Sequence, residues 1–274
     1  MKVLVLGATG MLGYSVFHVF NKLGYNVYGT TRSLKFMDLF PPHKIICNMD
    51  IYNKQFLHIV KGVVPNVIIN CIGVTKHIVA DNSSMIYANS YFSHEMSELA
   101  TKLNARYVYI STDCIFSGRD GNYSEYSISD CCDIYGKSKL LGEVVDGNHL
   151  TIRTSFIGRE LSSSRGLLEW FLLQKGTAQG YTKAIWNGLT TPEIARILEQ
   201  MINKQCHGIY HVGGEIIDKC SLLSMIKSIF YKHDVEIIPN DTIKIDRSLN
   251  IDKYRELGIQ SPPLEILIEE LQNG

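Results

Sequence analysis

The sequence predicts an α/β fold, a Rossmann-like doubly wound parallel sheet with a smaller C-terminal substrate-binding lobe. Two observations predict it. Over residues 1–155, short apolar runs rich in β-branched residues alternate with helical patterns. Gly7, Gly10 and Gly13 follow the first of those runs, at the mouth of a helix. Runs that are apolar throughout are strands buried on both faces, and strands that alternate with helices specify βαβ units on a parallel sheet.

The candidate strands are KVLVL (2–6), NVYG (26–29), KIIC (44–47), NVIIN (66–70), RYVYI (106–110) and HLTIR (149–153). Helical patterns fall at 11–23, 53–61, 83–103 and 133–146. Beyond residue 155 the rhythm changes. Helical stretches near 165–175, 191–203, 221–231 and 263–272 are separated by short pieces such as GIYHV and VEIIP. No Pro/Gly/Ser linker, repeat or low-complexity tract interrupts the chain. The expected organisation is a dinucleotide-binding domain over 1–155 and a smaller, non-independent lobe over 156–274.

Composition limits the function classes. The 274 residues carry 27 Lys+Arg and 27 Asp+Glu, with no like-charge block. That argues against bulk electrostatic binding to nucleic acid or anionic lipid. No apolar run reaches the length of a membrane span, and the start MKVLVLGATG has too short an apolar stretch for a signal peptide. The seven cysteines form no Cys-x2-Cys pair, so reduced thiols in a cytoplasm are expected and a zinc site is not. His207 and His211 are four apart, but the surrounding pattern reads as a strand rather than a metal-binding helix.

The loop in VLVLGATGMLGYSVFHVF carries the first chemistry. Glycine lets backbone N–H groups approach a pyrophosphate, and the helix start adds partial positive charge. Gly7, Thr9, Gly10, Met11, Leu12 and Gly13 are the candidate phosphate-loop residues. The spacing is Gly-x2-Gly-x2-Gly, and no Gly-Lys-Ser/Thr follows, which removes the P-loop reading. The second strand ends NVYGTTRS, with no carboxylate to bind a ribose 2′-hydroxyl. Thr31 and Arg32 stand there instead, and a guanidinium suits a 2′-phosphate, so NADP(H) is expected. Asp50 and Ile51 follow the third strand. Asp50 has two readings, a partner for the adenine amino group or a helix N-cap. Cys71, Ile72 and Gly73 follow the fourth strand, on the expected nicotinamide side.

The stretch CCDIYGKSKLLGE (131–143) places Tyr135 and Lys139 four apart on a predicted helix. The spacing alone arises by chance. In this setting the pair shares one helix face, and an ammonium beside a phenol favours phenolate. Lys137 is expected to face solvent.

Taken in order, GATGMLG, STDCIFSG (111–118), Tyr135-x3-Lys139, RTSFIG (153–158) and DRSLNIDKY (246–254) resemble the extended short-chain dehydrogenase/reductases, and within them the dTDP-4-dehydrorhamnose reductases. The resemblance implies Tyr135 as general acid, Lys139 on the nicotinamide ribose and Thr112 on the substrate oxygen. It further implies a sugar pocket shaped by Thr75, Asp113, Phe156, Trp186, Asn187 and Arg247, with Arg153 as a further candidate. The chain departs from the pattern at Ile78, where an acid is usual, and at Phe156, where tryptophan is usual. Gly188 and Thr190 of an expected turn are kept without its proline. Cys114 stands where sugar-nucleotide dehydratases carry a glutamate, which disfavours dehydration. The implied function is an NADPH-dependent reductase of a nucleotide-linked 4-keto-6-deoxysugar in polysaccharide biosynthesis, a homodimer through its long helices. The alternatives are a nucleotide-sugar epimerase and a non-catalytic NADP-binding regulatory subunit.

Overall fold

The computed structural model describes residues 1–75 and 81–273. The chain begins with β1 (Lys2–Leu6), α1 (Met11–Lys22), β2 (Asn26–Thr30), β3 (Ile45–Ile46), α2 (Gln55–Val63) and β4 (Val67–Asn70). It continues through α3 (Asn82–Ile86), a π turn over Tyr87–Tyr91, α4 (Phe92–Lys102), β5 (Arg106–Thr112), α5 (Ile134–Leu141) and β6 (Leu150–Thr154). Then come β7 (Phe156–Ile157), α6 (Leu167–Leu173), β8 (Gly176–Tyr181), β9 (Ala184–Trp186), β10 (Leu189–Thr190), α7 (Thr191–Asn203) and β11 (Gly208–His211). The last are β12 (Ile217–Asp218), α8 (Lys219–Ile229), β13 (Val235–Asn240), β14 (Ile245–Asp246), α9 (Asp252–Arg255) and α10 (Leu264–Asn273).

The main sheet has seven strands in the order β11-β6-β5-β4-β1-β2-β3. β1 pairs in parallel with β2 on one side and β4 on the other, with Leu6 opposite Asn70. The chain therefore winds outward in both directions from β1, and the β1/β4 junction is the switch point where ligands of open α/β sheets bind. The strands hold this position because they are apolar on both faces: Val3 to Leu6 and Val67 to Ile69 are all buried.

Two compact units are present. One comprises Met1–Ser111, Asp133–Ile152 and Ala195–Ile209, the other Thr112–Cys132, Arg153–Ile194 and Tyr210–Gly274. These are not the linear halves 1–155 and 156–274 expected from the sequence. Residues 195–209 join the first unit because their contacts lie there. Arg106 Nη1 donates to Ile202 O at 3.1 Å, Tyr25 Oη donates to Glu199 Oε1 at 2.6 Å, and Gly208 N donates to His149 O at 2.9 Å. The first unit packs Leu4, Leu6, Phe56, Ile68, Phe92, Met96, Tyr107 and Tyr109 into one core. The second packs Leu168, Phe171, Leu222, Leu223 and Ile226 into another. Burying each such side chain contributes about 1.5–3 kcal/mol.

The helix expected over 83–103 is one continuous path with a π turn inside it. The cause is local. Asn89 is buried, and its carbonyl accepts the Tyr109 hydroxyl at 2.6 Å. A carbonyl taken by a side chain in this way accompanies a widened turn. No helix among the described residues is long and apolar enough to cross a membrane.

Candidate active site

The loop between β1 and α1 turns at Gly7, whose φ of +77° is left-handed. Gly10 N donates back to Gly7 O at 3.0 Å, and a Cβ on Gly13 would lie 2.1 Å from that same oxygen. The turn closes this tightly only with glycine at 13. Gly10 caps α1 with no side-chain bond, and no acidic residue stands in the first turn. The helix start is thus free of a competing side-chain acceptor and suits a pyrophosphate. Gly10 is exposed, Thr9 and Met11 are half-buried, and Leu12 is buried in the core, so only its amide is available there. Thr9 and Thr31 join hydroxyls at 3.1 Å, which ties the loop to the end of β2. These residues fit a dinucleotide.

The neighbouring expectations divide. Arg32 is exposed one residue beyond Thr31 and makes no ion pair among the described residues. Asp50 is also exposed. Its Oδ1 accepts Tyr52 N at 3.1 Å, and α2 begins only at Gln55, so it closes a turn and does not cap the helix. Ile51 beside it is half-buried. Cys71 N donates to Leu6 O at 3.0 Å, and a Cβ on Gly7 would meet Ile72 Cγ1 at 3.0 Å. The structure therefore brings 71–73 against the glycine loop, with Gly73 exposed. Thr75 is half-buried at the end of this stretch, and the Ile78 position lies outside the described residues.

Asn89 was not singled out from the sequence. Its side chain accepts from Val74 N at 2.9 Å and donates to Val74 O at 2.8 Å and to Ser138 Oγ at 3.0 Å. It thereby fixes the 71–75 stretch to α5. Its only signal would have been a buried asparagine on a helix, where apolar residues are usual.

Asp133 caps α5 by accepting Gly136 N at 2.8 Å. Tyr135 is half-buried, Lys137 is exposed as expected, and Lys139 is buried at 4% exposure. Lys139 Nζ donates to Ile110 O and lies 4.1 Å from the Tyr109 ring centroid. Burial drives its ammonium down to about 7, opposed by the Glu143 carboxylate and by Cys71. The Cys71 thiol is itself pushed up to about 12 by burial, partly offset by Lys139. Tyr135 and Glu143 both help raise the Tyr109 phenol, after burial and Tyr107, so both sit around that ring. Tyr135 and the buried Lys139 thus lie one helical turn apart on α5, with Lys139 against the end of β5. Thr112 ends β5 two residues past Ile110. Its hydroxyl donates to Asp113 Oδ1 at 3.0 Å and accepts Cys114 N at 3.1 Å.

In the second unit, Asp113, Leu167, Trp186, Lys219, Ile245 and Arg247 line a cavity of about 210 Å³. Burial raises the Asp113 carboxyl, opposed chiefly by the Arg247 guanidinium. Arg247 Nε donates to Phe116 O at 2.9 Å, which aims its charge. Trp186 Nε1 donates to Ser155 Oγ at 2.8 Å, and its ring lies over Gly188, where a Cβ would come within 2.2 Å. Lys219, lowered by burial, is a cavity residue that the sequence reading missed. The signal was faint, a lysine at a helix start, where cations are disfavoured by the dipole.

Of the expected substrate residues, Thr75, Thr112, Asn187, Phe156 and Arg153 do not line this cavity. Asn187 is buried, and its amide bonds both Leu249 N and Leu249 O, at 3.0 and 2.9 Å. That is a clamp between two chain segments. Phe156 pairs with Leu189 in a two-stranded sheet. Arg153 is buried, donates to His211 Nε2 at 3.3 Å and lies over the Phe116 ring. Burial, with Arg153 next, pushes the His211 imidazole down to about 3. Thr190 keeps a buried hydroxyl with no partner among the described residues.

A family model described as RmlD substrate binding domain matches residues 1–254. The chain belongs to this family. Among curated relatives of this RmlD-family chain, the Bos taurus methionine adenosyltransferase 2 subunit beta is 29% identical over 144 residues, 52% of this chain and 41% of that protein. The chain thus spans about two fifths of the length of such relatives. The spore coat polysaccharide biosynthesis protein SpsK of Bacillus subtilis is 27% identical over 245 residues, 86% of this chain and 80% of that one. A crystal structure of dTDP-4-dehydrorhamnose reductase from Bacillus anthracis, in complex with NADP, superposes with a TM-score of 0.80 at 22% identity, covering 98% of each chain. At that identity the superposition establishes a shared Rossmann-like fold.

Proposed function

We propose that this chain is an NADPH-dependent reductase of a nucleotide-linked 4-keto-6-deoxysugar, acting in polysaccharide biosynthesis in the cytoplasm. The observation that supports the reading most is α5, which carries Tyr135 and the buried Lys139 four residues apart. A reduced nicotinamide, when bound, supplies hydride to the keto carbon. Tyr135 donates its phenolic proton to the resulting oxygen, and the Lys139 ammonium stabilises the phenolate left behind. Thr112 turns its hydroxyl from Asp113 to the carbonyl oxygen. The glycine loop, Thr31 and Arg32 hold the dinucleotide, and NADP in the Bacillus anthracis reductase supports the choice of coenzyme. Lys219 and Arg247 suit the diphosphate of a nucleotide sugar, and Trp186 suits a sugar or base face. The printed name of SpsK supports the polysaccharide setting.

The test follows NADPH oxidation at the nicotinamide absorbance with a panel of 4-keto sugar nucleotides. At least one is expected to be reduced. Tyr135→Phe should lower turnover by about 10²–10⁴-fold while NADPH affinity stays within a factor of about two. Unchanged turnover in that variant would remove the assignment.

A second reading is favoured by the methionine adenosyltransferase subunit match, a non-catalytic nucleotide-binding subunit of another enzyme. No NADPH consumption with any sugar, with tight retention on a methionine adenosyltransferase catalytic subunit, would favour it. A homodimer belongs to the first reading. On the helix expected to pair, Met85 and Leu99 are buried in the core while Tyr91 is exposed.

A further inference from the structure

Lys139 is enclosed on every side that the first unit offers. The Tyr109 ring and Ile110 O face it from β5, Cys71 from the end of β4, and Tyr135 and Glu143 flank it along the chain of α5. An ammonium in such a place needs a counter-charge, because burial costs the charged form far more than the neutral one. The Cys71 thiol, pushed up to about 12, is neutral at working pH and supplies none. Glu143 remains. It stands one helical turn beyond Lys139, just past the end of α5, where Glu143 N donates to Leu140 O at 3.1 Å.

A second bond fixes the carboxylate. Ser111 Oγ donates to Glu143 Oε1 at 2.6 Å. Ser111 follows Ile110 on β5, the residue whose carbonyl receives Lys139 Nζ. Two consecutive strand residues thus hold both members of the pair, one by a backbone acceptor and the other by a side-chain donor. Glu143 also lines an open groove of about 580 Å³, with His94, Asp146 and His149.

We propose that Glu143, clamped by Ser111, is a positioning residue that keeps Lys139 in its ammonium form at the candidate active site. The proposal deepens the reductase reading and rests on it for its catalytic meaning. The charge relation itself is independent of turnover. Among the described residues, removing the carboxylate leaves Lys139 without its countercharge, and its proton should leave at lower pH.

The experiment is a pH titration of the full chain labelled with ¹³C and ¹⁵N lysine, observed by NMR. The Lys139 signal is identified by its loss in Lys139→Arg. In Glu143→Gln the Lys139 midpoint should fall by about one unit, a tenfold loss of proton affinity. Ser111→Ala should lower it less, and Glu143→Asp should restore part of it. In the reductase assay, the alkaline limb of kcat/KM for Glu143→Gln should lie at lower pH than that of the wild type by the same amount. An unmoved Lys139 midpoint in both Glu143→Gln and Ser111→Ala overturns the proposal. If Glu143→Gln does not fold, Ser111→Ala decides alone. Absence of NADPH consumption by the unaltered chain removes the reductase reading and leaves the titration result standing.

Discussion

At the scale of single residues, Lys139 links stability to chemistry. Its ammonium lies at about 7, against an ordinary 10.5, because it is buried. Between those values the unfolded chain holds a proton that the native site has lost, so this residue makes stability rise with pH. Below 7 its burial penalty acts in full. Lys139→Met should therefore gain most over the wild type near pH 7 and progressively less towards 10.5, a change on the order of a few kcal/mol. Denaturant titrations across that window read it, and a difference that stays flat would count against it. Lys219 gives a residue-scale prediction for the substrate. Lys219→Ala should raise KM for the nucleotide sugar by about tenfold or more, the worth of one charge-assisted hydrogen bond. NADPH affinity, measured by fluorescence titration, should not change. The glycine turn and the helix that carries Tyr135 and Lys139 were legible because both are written in short local patterns. Lys219 and Asn89 were not, since each acts through neighbours far away in sequence: Asn89 through Val74 and Ser138, Lys219 beside Arg247 and Asp113. Asn187 misled for the opposite reason. A polar residue beside a predicted pocket is as suited to a backbone clamp as to a sugar.

Among the elements, the contact of α5 with the π turn positions the site. A Cβ on Gly142 would lie 1.9 Å from Asn89 O and 2.7 Å from Tyr109 Oη. Ser90 Oγ and Ser93 Oγ donate from the same region to Ser138 O and Gly142 O, both at 2.7 Å. Gly142→Ala should force the helix outward, cost about 1–3 kcal/mol as overpacking does, and lower kcat more than it raises KM for NADPH. Thermal unfolding and steady-state kinetics check it, and a variant as stable and active as the wild type would refute the contact's role. The regular strands and helices were readable to within a few residues, because buried parallel strands have continuous apolar runs. The π turn was not, because widening a helix by one residue leaves the apolar pattern nearly unchanged. Nor was the two-residue length of β3, where KIIC promised a longer strand.

For the molecule as a whole, the parallel doubly wound class followed from the alternation of strands and helices; the strand order was read from the structure. The division into units did not, because a linear boundary assumes that each stretch packs on its sequence neighbours. The interleaving has a practical consequence. The backbone leaves the first unit after Ser111, returns at Asp133, leaves after Ile152, returns at Ala195 and leaves after Ile209. A fragment ending at 155 lacks the stretch that buries Ile197, Leu198 and Met201, and leaves Arg106 without its Ile202 acceptor. Such a fragment should be recovered only as insoluble or protease-sensitive material, and limited trypsin digestion of the full chain should yield no stable half. A soluble, cooperatively melting 1–155 fragment would contradict this. Neither unit can be excised by cutting the chain once, because the first is complete only at Ile209 while the second already begins at Thr112.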